Sequence, residues 1–128
     1  MVYTIGIGSN ERREENMTLA RRRLSGLFAG IRFSEEEETK PLSLRRQAMF
    51  SNQVARFDSH LSPDEILPLL KTIEREAGRT AEEKRQEVVR LDIDLLTCDD
   101  IVYKPEDWKR EDIVRGLEQL SLFDIPKE

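Results

Sequence analysis

Residues 90–96, Arg-Leu-Asp-Ile-Asp-Leu-Leu, constrain the fold of this chain more than any other stretch. An apolar run that would otherwise be an ordinary buried strand here carries two carboxylates one residue apart. Strand side chains alternate between faces, so Leu91, Ile93 and Leu95 point one way and Arg90, Asp92 and Asp94 the other. Two ionised carboxylates side by side repel each other, and both lose hydration if a sheet face covers them. A cation between them relieves both costs. Mg²⁺ suits the position, because it keeps several waters and is usually held by one or two carboxylates together with substrate phosphates. The plainer reading is a solvent-facing strand whose charges only keep it soluble.

The 128 residues set the scale of one domain, 1–128, with a real but modest core: 38% of the residues are hydrophobic and 37% charged. A net charge of −5 argues against a general nucleic-acid coat and against an anionic membrane surface, while leaving room for a local phosphate site. The single Cys98 and the lone His60 supply neither a disulfide nor a zinc set. A reduced, cytoplasmic compartment is expected. The apolar segment Val2 to Ile7 is too short for the apolar region of a signal peptide or for a membrane span.

Val2 to Ile7 reads as a first strand that runs into the turn Gly8-Ser9-Asn10. A helix follows, with Met17, Ala20, Leu24, Leu27 and Phe28 on one face, Glu14 and Glu15 early, Arg21 to Arg23 later and Gly30 as its stop. Ile31-Arg32-Phe33 starts a second strand that meets the acidic run Glu35 to Glu38 and a loop from Thr39 to Gln47. Phe50 to Phe57 makes a third strand. Ser62-Pro63-Asp64-Glu65 starts a second helix, whose buried stripe is Ile66, Leu67, Leu70, Ile73 and Ala77 and which Gly78 ends. The polar loop Arg79 to Glu87 leads into the aspartate strand. After the turn Asp99-Asp100 come Ile101 to Tyr103 and a C-terminal helix through Ile113, Leu117 and Leu120. The order predicts an α+β fold, the ferredoxin-like β-α-β-β-α-β sandwich: an antiparallel sheet with helices on one face and the other face left for a ligand. Asp92, Asp94, Phe50 and Asn52 would share that open face.

Several motifs in order carry a resemblance to a known family: Ile5-Gly6-Ile7-Gly8-Ser9-Asn10, Thr39-Lys40-Pro41-Leu42, Phe50-Ser51-Asn52, Ile73-Glu74 with Gly78-Arg79, and Leu91-Asp92-Ile93-Asp94-Leu95-Leu96. Over residues 1 to about 103 the chain is similar to the 6-hydroxymethyl-7,8-dihydropterin pyrophosphokinases of folate biosynthesis. The resemblance implies small-molecule substrates: pyrophosphate passes from ATP to the hydroxymethyl oxygen of the pterin, and AMP is released. It implies that Asp92 and Asp94 hold magnesium ions bridging ATP's phosphates. Phe50 would stack on the pterin, while Asn52 and the segment Thr39, Pro41 and Leu42 would bind its edge. Arg79 and Arg85 would contact phosphates, and Glu74, Arg85, Leu95 and Arg110 would belong to the nucleotide site. Such transfers rest on positioning and charge neutralisation more than on covalent chemistry.

The chain departs from the family's pattern in places. Gln86 and then Val88-Val89 stand where the family has Trp and then Pro-Arg, and Arg90, one position later, is the candidate substitute for the lost arginine. Lys104 is nearest in register to a family histidine, Asp112 falls where an aromatic closes the other side of the pterin, and the chain ends sooner than the family's. The alternative to catalysis is a degenerate relative that binds a nucleotide, a pterin or a partner; what separates the two is whether Arg85, Arg90 and Arg110 converge on Asp92 and Asp94. Without the resemblance Phe50 is more often a core residue, and only Asn52 beside it on the same face brings the two readings level; 79–90 reads as an ordinary solvated loop and His60 as a surface residue. Trp108 either packs on the body or covers the ring.

Overall fold

In the computed structural model, which describes residues 1–41 and 44–121, the sheet is antiparallel throughout and its central strand is β1, Val2–Ser9. β1 is followed by α1 (Arg13–Leu27), β2 (Arg32–Phe33), β3 (Glu37–Thr39), β4 (Phe50–Asp58) and α2 (Pro63–Glu76). A short helix α3 (Ala81–Arg85) precedes β5 (Asp92–Cys98) and β6 (Ile101–Val102), and the helices α4 (Pro105–Trp108) and α5 (Glu111–Ser121) close the described chain. The strand order is β2-β4-β1-β5-β6, with β3 also on β4. This is the ferredoxin-like arrangement with two elaborations. The expected second strand is split in two, and a two-residue turn at Asp99-Asp100 adds β6 as a hairpin.

The inner face follows from alternation. Tyr3, Ile5 and Ile7 of β1, Ala55 and Phe57 of β4, and Ile93 and Leu95 of β5 form one buried cluster with Met17, Ala20 and Leu24 of α1 and Ile66, Leu70 and Ile73 of α2. Each fully buried aliphatic side chain of that set contributes about 1.5–3 kcal/mol. At the start of α2 the Glu65 carboxylate accepts from both the backbone N–H and the hydroxyl of Ser62, as the Ser-Pro-Asp-Glu signature predicts. Two residues of the expected stripes lie outside the core: Leu27 and Leu67 are 41% and 40% exposed. The arginines of α1 occupy its middle, not its last turn, and Arg21 and Arg23 pair with Glu36 and Glu76 on the surface.

The outer face is not fully open, which corrects the expectation of a ligand face without cover. α5 lies across it, and Ile113 and Leu120 join Val54 and Leu96 in a second buried cluster. Gly116 is what lets the helix come so close, since a Cβ there would stand 2.6 Å from Cγ2 of Val54. Trp108 packs against this second cluster, so of its two readings the structure selects packing on the body. His60 is exposed, as expected. No helix among the described residues is long and apolar enough to cross a membrane.

Candidate active site

What α5 leaves uncovered is a cleft of about 780 Å³ on the outer face, lined among others by Thr39, Phe50, Asn52, Asp92, Asp94 and Arg110. The register places its parts. Asn52 of β4 and Asp92 of β5 both lie opposite Gly8 of β1, while Val54 and Asp94 both lie opposite Gly6. Asn52 and Asp92 are therefore two strand spacings apart, about 10 Å. Nothing but glycine separates them, and a Cβ on Gly8 would come within 3.3 Å of Oδ1 of Asn52. In the sequence Gly6 reads only as part of the first strand and Gly8 only as the start of a turn. Their spacing, every second residue on the strand facing the aspartates, is the signal that marks them as the floor.

Each aspartate has its own cation. Nη1 of Arg79 donates to Asp92 at 2.8 Å and to Glu74 at 3.0 Å, and Glu74 also accepts the Ile93 backbone N–H at 2.7 Å. Nζ of Lys104 donates to Oδ1 of Asp94 at 3.0 Å. Burial, reinforced by the charge of Asp92, outweighs Lys104 and pushes Asp94 up to about 6 from its ordinary 3.8. Burial acts on Asp92 in the same sense, but hydrogen bonds from Asp94 and Arg79 and the nearby cations win and hold it below its ordinary value. Glu74 is raised by burial in spite of the Ile93 N–H and Arg79. The pair thus carries opposite shifts two residues apart, the pattern of like charges that cannot both ionise freely. Because Arg79 is the cation of largely buried Glu74 and also of Asp92, Arg79→Met should lower stability by about 1–3 kcal/mol in urea denaturation, with the loss largest at pH values at which both carboxylates are ionised.

At the β4 end of the cleft, Nδ2 of Asn52 donates to the Thr39 hydroxyl at 2.6 Å, and its Oδ1 accepts from Nη2 of Arg110 at 3.3 Å. Arg110 is gripped by Asp112 through Nε at 3.1 Å and Nη2 at 2.8 Å. Asp112 is thereby buried as the partner of an arginine, in the position where the family's pattern puts an aromatic. Half-buried Phe50 presents its ring to the same cleft.

Not every expected residue converges here. Arg85 stands exposed on α3, and no carboxylate among the described residues pairs with it. Arg90 was expected on the aspartate face by strand alternation, but β5 begins only at Asp92; the Arg90 side chain lies over Gly78 and its Nε donates to both carboxylate oxygens of Glu83, at 3.0 and 2.9 Å. Of Arg85, Arg90 and Arg110, only Arg110 reaches the cleft, so the expected convergence of the three is met by one, and the cations that stand at the aspartates are Arg79 and Lys104. Leu95 belongs to the core; Pro41 is half-buried beside the rim residues Thr39 and Lys40, and Leu42 lies outside the described residues. Val88-Val89 is pinned by Asn10, whose Oδ1 accepts the Val89 N–H at 2.7 Å and whose Nδ2 donates to the Glu87 carbonyl at 2.9 Å.

No curated protein sequence matches the chain. The family model of 7,8-dihydro-6-hydroxymethylpterin-pyrophosphokinase (HPPK) matches residues 4–126, well past residue 103 where the motif resemblance stopped, and so takes in Lys104, Arg110 and α5. With the ferredoxin-like fold and a cleft that joins an aspartate pair to an aromatic and an amide, this match shows that the chain belongs to the HPPK family, the pyrophosphokinases that act on the hydroxymethylpterin of folate biosynthesis.

Proposed function

We propose that this chain transfers pyrophosphate from ATP to the hydroxymethyl oxygen of 6-hydroxymethyl-7,8-dihydropterin with Mg²⁺ at Asp92 and Asp94. The observation that carries the reading is the shared cleft: the aspartate pair and the Phe50–Asn52 edge face one space across a glycine floor. The donor set fits Mg²⁺. Among the described residues no cluster of three or more His, Cys, Asp or Glu could enclose an ion alone, and a site of two carboxylates completed by phosphates and water is the one Mg²⁺ favours. Held there, the ion would screen the charge of the phosphate oxygens.

The remaining work falls to the protein's own side chains. Arg79 and Arg110 line the second part of the cleft, about 680 Å³ between α2, β5 and α4, together with Lys104 and both aspartates. They supply positive charge where phosphates would lie. Arg85, with no partner among the described residues, is available to join them. Phe50 offers a ring face, and Asn52, held by Thr39 and Arg110, offers its amide to the ring's edge. Orientation of a hydroxymethyl oxygen against a phosphate is worth several kcal/mol when both reactants are held. AMP release from ATP should require both the pterin and Mg²⁺; AMP formed equally well without the pterin, or with the metal chelated, would refute the reading.

The ring end has its own test. Asn52→Ala leaves polar edge groups of the pterin without a protein partner in the cleft, so dihydropterin affinity, followed by the ring's fluorescence, should fall by about 1–3 kcal/mol. Affinity for a non-hydrolysable ATP analogue should stay as it is.

A further inference from the structure

The two ends of an asparagine amide offer opposite things: Oδ1 accepts and Nδ2 donates, so turning the amide over exchanges them. Two side chains hold the amide of Asn52 in the cleft. The Thr39 hydroxyl accepts from Nδ2 at 2.6 Å, but a hydroxyl can donate as well as accept and would serve either orientation. The Arg110 guanidinium has donors only, and its Nη2 lies 3.3 Å from Oδ1. Turned over, the amide would set N–H against N–H. Arg110 therefore decides which end of Asn52 points where. It is kept in place by Asp112, which accepts from Nε at 3.1 Å and from Nη2 at 2.8 Å, while Asp107 stands farther off, 3.7 Å from Nη1. The Asp112 side chain is 8% exposed, on a helix whose next residue, Ile113, is buried against the sheet. No other side chain among the described residues takes the second lone pair of Oδ1 or the second hydrogen of Nδ2, so each end keeps one position for a ligand.

We propose that Asp112, acting through Arg110, sets the order of acceptor and donor that Asn52 shows to a bound ring, and so selects a 4-oxo pteridine over a 4-amino one. The proposal rests on the pterin reading above and deepens it. A 4-oxo ring carries N3–H beside the C4 carbonyl, a donor for Oδ1 next to an acceptor for Nδ2. In the 2,4-diamino ring N3 is a bare acceptor and the 4-amino group a donor, which is the reverse order. Turning that ring over to meet the amide would take its hydroxymethyl group away from the aspartates. Asp112 is a positioning residue in this account, since it meets the ligand only through the side chains it orients.

Calorimetric titration with a non-hydrolysable ATP analogue and Mg²⁺ present reads the selection as a ratio of two affinities, for 6-hydroxymethyl-7,8-dihydropterin and for its 4-amino counterpart. The wild-type protein should favour the 4-oxo ring by about 10–100-fold, since the 4-amino ring leaves polar groups unpaired on both sides. In D112L the amide is free to turn, and the ratio should fall to about threefold or less. The double variant R110M/D112L, which leaves no unpaired charge behind, should show the same fall. A merely structural role for Asp112 would weaken both rings together and leave the ratio unchanged. Thermal melting checks that the variants fold. A wild-type ratio near one, or an undiminished ratio in either folded variant, would overturn the proposal while the pterin reading stands. Binding of neither ring by the wild-type protein would overturn both.

Discussion

Asp94→Asn should lower turnover by about 10²–10³-fold, the loss expected when a group that meets charge in the transition state is removed, and should at the same time make the free protein more stable. The second half follows from the sign of the shift. Asp94 titrates at about 6 in the folded chain against an ordinary 3.8, so its ionisation favours the unfolded state. Its destabilising contribution is absent below pH 4, grows through the interval from about 4 to 6, and is complete above it. A shift of this size corresponds to about 2–3 kcal/mol, an upper figure because Lys104 loses its partner in the variant. Denaturation curves of wild type and variant should therefore coincide near pH 4 and separate above pH 6, with the variant higher. Metal binding must expel the same proton, so Mg²⁺ affinity should fall by up to tenfold per pH unit below about 6. A variant that turns over normally at saturating Mg²⁺ would remove Asp94 from the metal site.

Gly116→Ala should be among the most damaging conservative changes in the chain. The added methyl would meet Val54 at 2.6 and 2.9 Å and the Ser34 hydroxyl at 3.2 Å, contacts that force α5 off the sheet. Overpacking of this kind costs about 1–3 kcal/mol. Because Asp112 rides on α5 and grips Arg110, the lift should also loosen Asn52, and pterin affinity should drop along with the melting temperature. The double variant Val54→Ala/Gly116→Ala removes the obstructing methyls and should recover part of both losses. If it recovers neither, the contact between Gly116 and Val54 is not what sets the position of the helix.

How much of this was readable in advance depended on whether the signal was local. The alternation at 90–96 yielded β5, its buried side and the shared face of Asp92, Asp94 and Asn52, because a strand's period leaves only two choices. The start of α2 was readable for the same reason: its cap is made by residues three apart. α3 could have been read too. Thr80 and Glu83 have the spacing of a capping pair, and the Glu83 N–H donates to the Thr80 hydroxyl at 3.4 Å, but the charge-rich stretch around them was taken for loop. β3 gave no local sign, since Glu37 and Glu38 are poor strand formers and are held by the ladder with Ser51 and Asn52. The docking of α5 was likewise hidden. Ile113, Leu117 and Leu120 announce an amphipathic helix without saying which surface receives it. Arg90 and Arg110 found their carboxylates nearby in the chain, in Glu83 seven residues back and Asp112 two residues on, but reading 90 as strand and 110 as a phosphate contact passed over both pairings.

The two glycines beneath the cleft have one more implication. A surface made of main chain has no rotamers: it cannot swing aside for a bulkier guest, nor can it be trimmed or enlarged by exchanging one side chain for another. The distance from the Phe50–Asn52 edge on β4 to the acidic edge on β5 is thus a property of the sheet itself, as constant as the spacing of its ladders. Drift in ligand preference among descendants of this chain would have to be written in the borders, at Thr39, Phe50, Arg110 and Asp112, while the depth and span between them stay the same.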